Sequence, residues 1–301
     1  MAVFAAALIG IGTAIQQRAA ARAPSGTELH WRLLGYLLRQ RLWLVGLAVA
    51  VTGNIITGVA LGLGGVTLVE PLTVTGLLFA LPVAAVWSRY RLGSREWAAA
   101  LAVVVGIVLF LFAGEPRPGN RTDVPLWRWA LAAGAIELLT AALVRLARRL
   151  RPQQEASVLG LGAGMLFGLQ AALTSTAVRR LWRDGPAAVL LSWTPYAVVA
   201  VAAIGMLLAQ SAYKLAPLSV SYPAAAAAEP LAGIAIGIGV LDGALRVTPL
   251  ALVAEVAALA VMTAGVCTLA ATHLVDAPHQ RHPRAGDERS TGRRRSAGVV
   301  R

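Results

Sequence analysis

From its first residue to about Thr272 the chain is a succession of apolar stretches 17–25 residues long, separated by short polar breaks. Each stretch, wound as a helix at about 1.5 Å per residue, crosses the roughly 30 Å hydrocarbon layer of a bilayer. In lipid every backbone polar group must be bonded internally, so such a chain folds as a bundle of membrane helices. Composition agrees: 57% of the 301 residues are hydrophobic and 14% charged, too few polar residues to cover a soluble domain of this size. Nine spans are expected, at about 2–18, 42–62, 66–87, 97–114, 126–146, 157–178, 187–210, 216–240 and 248–271. The expected fold is an all-α polytopic membrane protein.

A net charge of +13 would suggest nucleic acid as the partner of a soluble protein. Here the basic residues lie between the spans and in the tail, so topology accounts for them and no nucleic-acid partner is expected. With the N-terminus outside, 20 of the 27 Lys and Arg residues fall on the cytoplasmic side and 7 on the outer side. That bias is what the positive-inside rule demands, and it places the chain in the inner (plasma) membrane with a cytoplasmic tail. Residues 2–15 lack a preceding basic residue, so a retained first span is expected rather than a cleaved signal. The outer cluster Arg179–Arg183 breaks the pattern and reads either as a misplaced helix boundary or as a basic vestibule. Residues His30–Arg41 interleave Trp31, Leu33, Leu34, Leu37 and Leu38 with Arg, the pattern of a short helix lying at the inner interface against anionic lipid. The Arg-rich residues 273–301 read as a disordered tail. Cys267 stands alone, which excludes a disulfide framework and a cysteine metal site.

The sequence also repeats itself. Glu70-Pro71-Leu72 recurs as Glu229-Pro230-Leu231, an offset of 159 that also relates Glu96 to Glu255 and Gly106 to Gly265. Residues 65–71 match 217–223 as well, at an offset of 152, and the two registers remain alternatives. Either way residues 1–114 (four spans) correspond to 157–272 (four spans), with a linking span in 115–156. One unpaired span between the halves inverts the second, giving a 4+1+4 inverted repeat of the kind found in secondary transporters.

Several segments resemble the drug/metabolite transporter superfamily, in its EamA-like branch. They are Gly10-Ile-Gly-Thr-Ala-Ile-Gln-Gln17, the run Leu61 to Pro82, the run Gln210 to Leu231, Glu96-Trp97 and Gly265. The resemblance covers about residues 1–272. Nine spans with an external N-terminus further resemble the NIPA-type magnesium transporters, whereas ten spans are commoner among EamA-like proteins. Asp242-Gly243 stands where that branch typically carries an acidic residue at the end of its eighth helix.

Carboxylates inside hydrocarbon are costly and usually serve a cavity or a partner. Glu229 and Glu137 lie near the centres of their spans, and Glu70 and Glu255 nearer the outer ends. They are candidates for a proton relay or for binding a cation; the plain alternative is a carboxyl that ties helices together. Pro71 and Pro230, next to Glu70 and Glu229, each free a backbone carbonyl one turn back that a cation can use. Pro195 reads as a packing kink. Gln170, Tyr222, Gln210, Ser211, Thr174, Ser192 and Tyr196 are candidates to line a route, each against the alternative of an interhelical bond. Asn54 reads as bonded to backbone.

No Ser/His/Asp set, metal-ligand cluster or phosphate loop points to an enzyme, and no cofactor is expected. The leading expectation is a secondary carrier of a small metabolite or drug-like solute, alternating between inward and outward access. A magnesium or other divalent-cation pathway and a non-transporting membrane scaffold are the competing readings. Membrane lipid and a second copy of the chain complete the expected partners.

Overall fold

The computed structural model describes residues 1–24, 26–64, 75–88, 93–115, 124–244, 246 and 248–275. Among them there are ten helices and no β-strand. They are α1 (Ala2–Ala20), α2 (Trp31–Leu37), α3 (Arg41–Gly64), α4 (Gly76–Ser88), α5 (Ser94–Gly114), α6 (Leu126–Ala147), α7 (Pro152–Leu190), α8 (Thr194–Leu215), α9 (Leu218–Leu241) and α10 (Pro249–Val275). Seven of these, α1 and α5–α10, are individually long and apolar enough to cross a membrane, and α2 with α3, joined at a 90° bend, makes an eighth candidate. α4 is apolar but short within the described residues. The described residues are thus all-helical, as a multi-pass membrane protein requires.

Two helix ends differ from the sequence expectation. α7 runs on through Arg179–Asp184 and turns only at Gly185 (φ 83°), just before Pro186. A positive φ suits glycine, and the following proline has no N–H to continue the helix. The basic cluster is therefore a helix end, the first of its two readings. It is braced by Asp184, which bonds Arg183 at 2.9 Å and pairs with Arg180 at 3.7 Å. α8 consequently starts at Thr194 rather than 187. Pro195 occupies its first turn, where no donor is needed, so it starts a helix instead of kinking one. The interfacial segment does form the short helix α2, but it docks on protein. Leu33 and Leu37 are fully buried and α2 packs against α8, while Trp31 and Leu38 stay exposed.

Small residues decide how the helices pack. α1 lies against α3 and α4; α7 lies against α8 and α9; α5 and α10 lie against each other. A Cβ on Gly10 would fall 2.2 Å from Gly76 O and 3.0 Å from Ala80 N. One on Gly168 would fall 2.5 Å from Glu229 O and 2.7 Å from Gly233 N. In the α5/α10 pair the contact is reciprocal: Gly106 meets Ala258 O (2.9 Å) and Met262 N (2.9 Å), and Gly265 meets Ala99 O (2.7 Å) and Val103 N (3.1 Å). Such backbone-to-backbone seating is how helices associate where lipid removes the hydrophobic drive between them.

Candidate functional site

Glu229 lies midway along α9, between Pro223 and Pro230, neither of which breaks the helix. Pro230 cannot donate, so the carbonyl of Ala226 is released one turn back. Burial along α9 changes character at this carboxylate. Leu218, Ser219, Val220, Ser221, Pro223, Ala224, Ala225, Ala227 and Ala228 are buried, whereas beyond Glu229 only Ile236, Val240 and Leu241 are. Gly237 and Gly239 face open space. The Glu229 side chain is enclosed by the mass of the protein and yet exposed. Ordinary core packing would cover it.

Around Glu229, on the side of the buried half of α9, polar groups from three helices meet. Tyr222 is half-buried and touches both main clusters of the core. Its hydroxyl shares a hydrogen bond with Thr13 of α1 and lies 3.7 Å from the Cβ that Gly76 of α4 lacks. Thr13 Oγ1 in turn donates to Ile9 O at 2.9 Å. Tyr222 and the buried Tyr213 of α8 are both within electrostatic reach of Glu229. Further along, Gln210 Nε2 donates to Gln16 Oε1 at 2.8 Å, both side chains being buried, and Gln17 Nε2 donates to Tyr213 O at 3.5 Å. Among the described residues the buried Oε1 of Gln210 and the hydroxyl of Ser221 have no hydrogen-bond partner. At the end of α8, Lys214 pairs with Glu28 at 2.7 Å, donates to Thr27 Oγ1 at 2.9 Å and also reaches Pro24 O. Burial alone would raise the Glu28 carboxyl. The hydrogen bond and charge of Lys214, with the backbone N–H groups of Glu28 and Gly26, outweigh that and hold it below the usual carboxylate range.

These contacts form successive polar layers between α1 with its following loop on one side and α8 and α9 on the other. Helices near the two ends of the sequence thus meet through hydrogen bonds, where slippage costs less than in an interdigitated apolar core. The opposite end of the bundle is tied by exposed ion pairs, Arg128–Asp242 at 2.9 Å and Arg246–Glu115 at 2.8 Å, and by Arg246 N donating to Gly114 O at 2.8 Å.

The remaining sequence candidates divide. Glu70 and Pro71 lie outside the described residues. Glu137 is exposed on α6, a helix that packs mainly on α7. Gln170 is half-buried on α7, about 200° around the helix from Gly168, so it looks away from α9. Glu255 is 8% exposed, with Oε1 unpartnered. Glu96, its counterpart at offset 159, is the third residue of α5 and accepts from Gly93 N–H at 2.8 Å, a capping role. Asn54 donates to Ala50 O at 3.0 Å, the backbone bond expected of it. Ser192 and Tyr196 bond locally, to Val189 O and Leu190 O. Among the described residues no three of His, Cys, Asp and Glu converge as a metal site would require. Sequence reasoning did not single out Thr13, Gln16 or Tyr213, although all three lie in the runs that carry the transporter resemblance. The signal was a polar residue inside an apolar helix, one turn or more from its end.

Comparison with known proteins finds an uncharacterized protein of Corynebacterium glutamicum, 32% identical over 282 residues that cover 93% of this chain and 96% of that protein. No family model matches the chain, and no solved structure does.

Proposed function

We propose that this chain, which belongs to one family with the corynebacterial protein, is a secondary transporter of a small solute, with Glu229 in its binding site. The observation that carries the reading is the exposure of a mid-helix carboxylate that the bundle encloses, with two tyrosines within electrostatic reach. An enclosed, solvated acid at mid-membrane is costly, and a transport site is the commonest reason to keep one. In this reading Glu229 lines a crevice: the polar layers at Tyr222–Thr13, Gln16–Gln210 and Lys214–Glu28 close one side of it, and the sparse packing of α9 beyond Glu229 leaves the other open. With the N-terminus outside, as the arginine bias favours, the closed side is cytoplasmic and the site faces outward.

The helix contacts support the 4+1+4 inverted repeat that such a carrier needs. Gly106, Ala99 and Val103 exchange roles with Gly265, Ala258 and Met262, each pair 159 apart. In the first and third helices of each half, Gly10 seats on Gly76 and Ala80 as Gly168 seats on Glu229 and Gly233, which aligns α4 with α9 at 153, close to the 152 register. Nine crossings, one of them through α4, are what this arrangement requires. Membership of the EamA-like branch rests on the segments quoted above.

Counterflow in vesicles containing the purified chain tests the proposal. Accumulation of one member of a panel of amines, amino acids, sugars or Mg²⁺, lost in Glu229→Gln with thermal stability unchanged, is the expected result. Uptake of Mg²⁺ alone would replace the solute class. Flux undiminished in Glu229→Gln would remove Glu229 from the site.

A further inference from the structure

α6 is set apart from the other long helices by how little of it the molecule covers: 11% of its apolar window is buried, against 28–61% in the other six. Its covered stripe contains Trp129, Ala133, Ile136, Thr140, Val144 and Ala147, spaced as one face of a helix. Glu137 lies beside that stripe, the twelfth of 22 residues, and is exposed. Among the described residues it has no hydrogen bond or ion pair, and the basic residues of its own helix, Arg128 and Arg145, sit at the two ends. The exposed residues nearest to it around the helix are Ala130, Gly134 and Ala141, all small, and a Cβ on Gly134 would meet nothing within 4 Å. Past the first turn, the larger exposed side chains, Leu131, Leu138, Leu139 and Leu146, point further round, and the exposed Leu126 and Trp127 stand at the start of the helix.

We propose that this face of α6 is the contact between two copies of the chain, with Glu137 paired to its own counterpart across a two-fold axis along the membrane normal. A carboxyl left against lipid at mid-depth carries a penalty that a polar partner removes. A neutral carboxyl has one donor and spare acceptor capacity, so it is self-complementary. Copies inserted in the same orientation bring the same residue to the same depth, and a closed two-fold contact is built from one patch facing itself. The small residues around Glu137 let the two backbones approach, and the carboxyl supplies the polar link at the centre. The inference requires only that α6 spans the membrane; it does not depend on what is transported.

The test counts subunits of the labelled full-length chain in lipid vesicles by single-molecule photobleaching, alongside cysteine cross-linking in a Cys267→Ala background. Two bleaching steps are expected. So is oxidative cross-linking of Gly134→Cys but not of Ala135→Cys, which lies at the same depth on the other side of the helix. Glu137→Gln keeps donor and acceptor and retains the dimer. Glu137→Leu weakens it by about three- to thirtyfold, the range of a membrane interhelical hydrogen bond. Leucine suits a lipid-facing position, so this variant still folds, and its thermal stability as a monomer checks that. Single bleaching steps in the parent chain, equal cross-linking at 134 and 135, or a Glu137→Leu variant as dimeric as the parent would each overturn the proposal. A chain that is monomeric alone and pairs only with a different protein would overturn it too.

Discussion

Glu229 and Glu137 stand at nearly the same depth in their helices, yet their surroundings are opposite. Glu229 is enclosed, with Tyr213 and Tyr222 within electrostatic reach, whereas Glu137 lies open on α6, whose apolar window is the least covered of the seven long helices. The sequence marked both as costly acids and had no means of separating them, because periodicity is faint when lipid-facing and buried faces are both apolar. A second residue-scale consequence concerns Lys214 and Glu28. The folded-state carboxyl of Glu28 is held down, so the stabilisation from this pair is fully present above the ordinary carboxylate range. It is lost as pH falls through and below that range, from about pH 4 downward. Thermal stability of the parent chain should therefore fall between pH 7 and 3.5 by more than that of Lys214→Met, which has no pair to lose. Parallel curves for the two would leave the pair without energetic weight. Gln210→Leu, which leaves Gln16 buried without its bond, should destabilise the chain by about 1–3 kcal/mol, measured by reversible unfolding.

At the scale of elements, the α5/α10 contact makes a paired prediction. Gly106→Leu and Gly265→Leu each drive a side chain into backbone that already lies within 3.1 Å of the missing Cβ. Each should cost about 1–3 kcal/mol, and by similar amounts, because the two glycines occupy equivalent places in one reciprocal contact. The double variant should cost less than the sum, since the first substitution already separates the helices. Strictly additive losses would argue against a shared contact. Helix existence was legible from stretch length alone. The ends of α7 and α8 were not, because Arg179–Asp184 reads as a polar loop in a hydropathy profile. In the fold, Asp184 pairs with the arginines and the helix turns only at Gly185. Pro195 shows the same limit: its meaning depends on whether a helix is already running when the chain reaches it.

For the whole molecule, the arginine bias predicts the orientation. Single cysteines at Ser192 and at Gln153, in a Cys267→Ala background, should react with a membrane-impermeant maleimide from the outside and only after permeabilisation, respectively. The reverse pattern would invert the topology and make the closed side of the Glu229 crevice the outer one. The sequence by itself determined that this chain is a helical, multi-pass membrane protein, since span length, scarce charge and the need to bond backbone internally in lipid leave no other fold. The proposed internal duplication also rests on the sequence, through recurring Glu-Pro and Gly positions. Only the tertiary structure decided which carboxylate is enclosed, which residues of α1 meet α8 and α9, and that α2 docks on protein. Those facts depend on helices distant in sequence approaching through absent side chains, as at Gly10 and Gly168, and hydropathy holds no record of which helix a glycine faces.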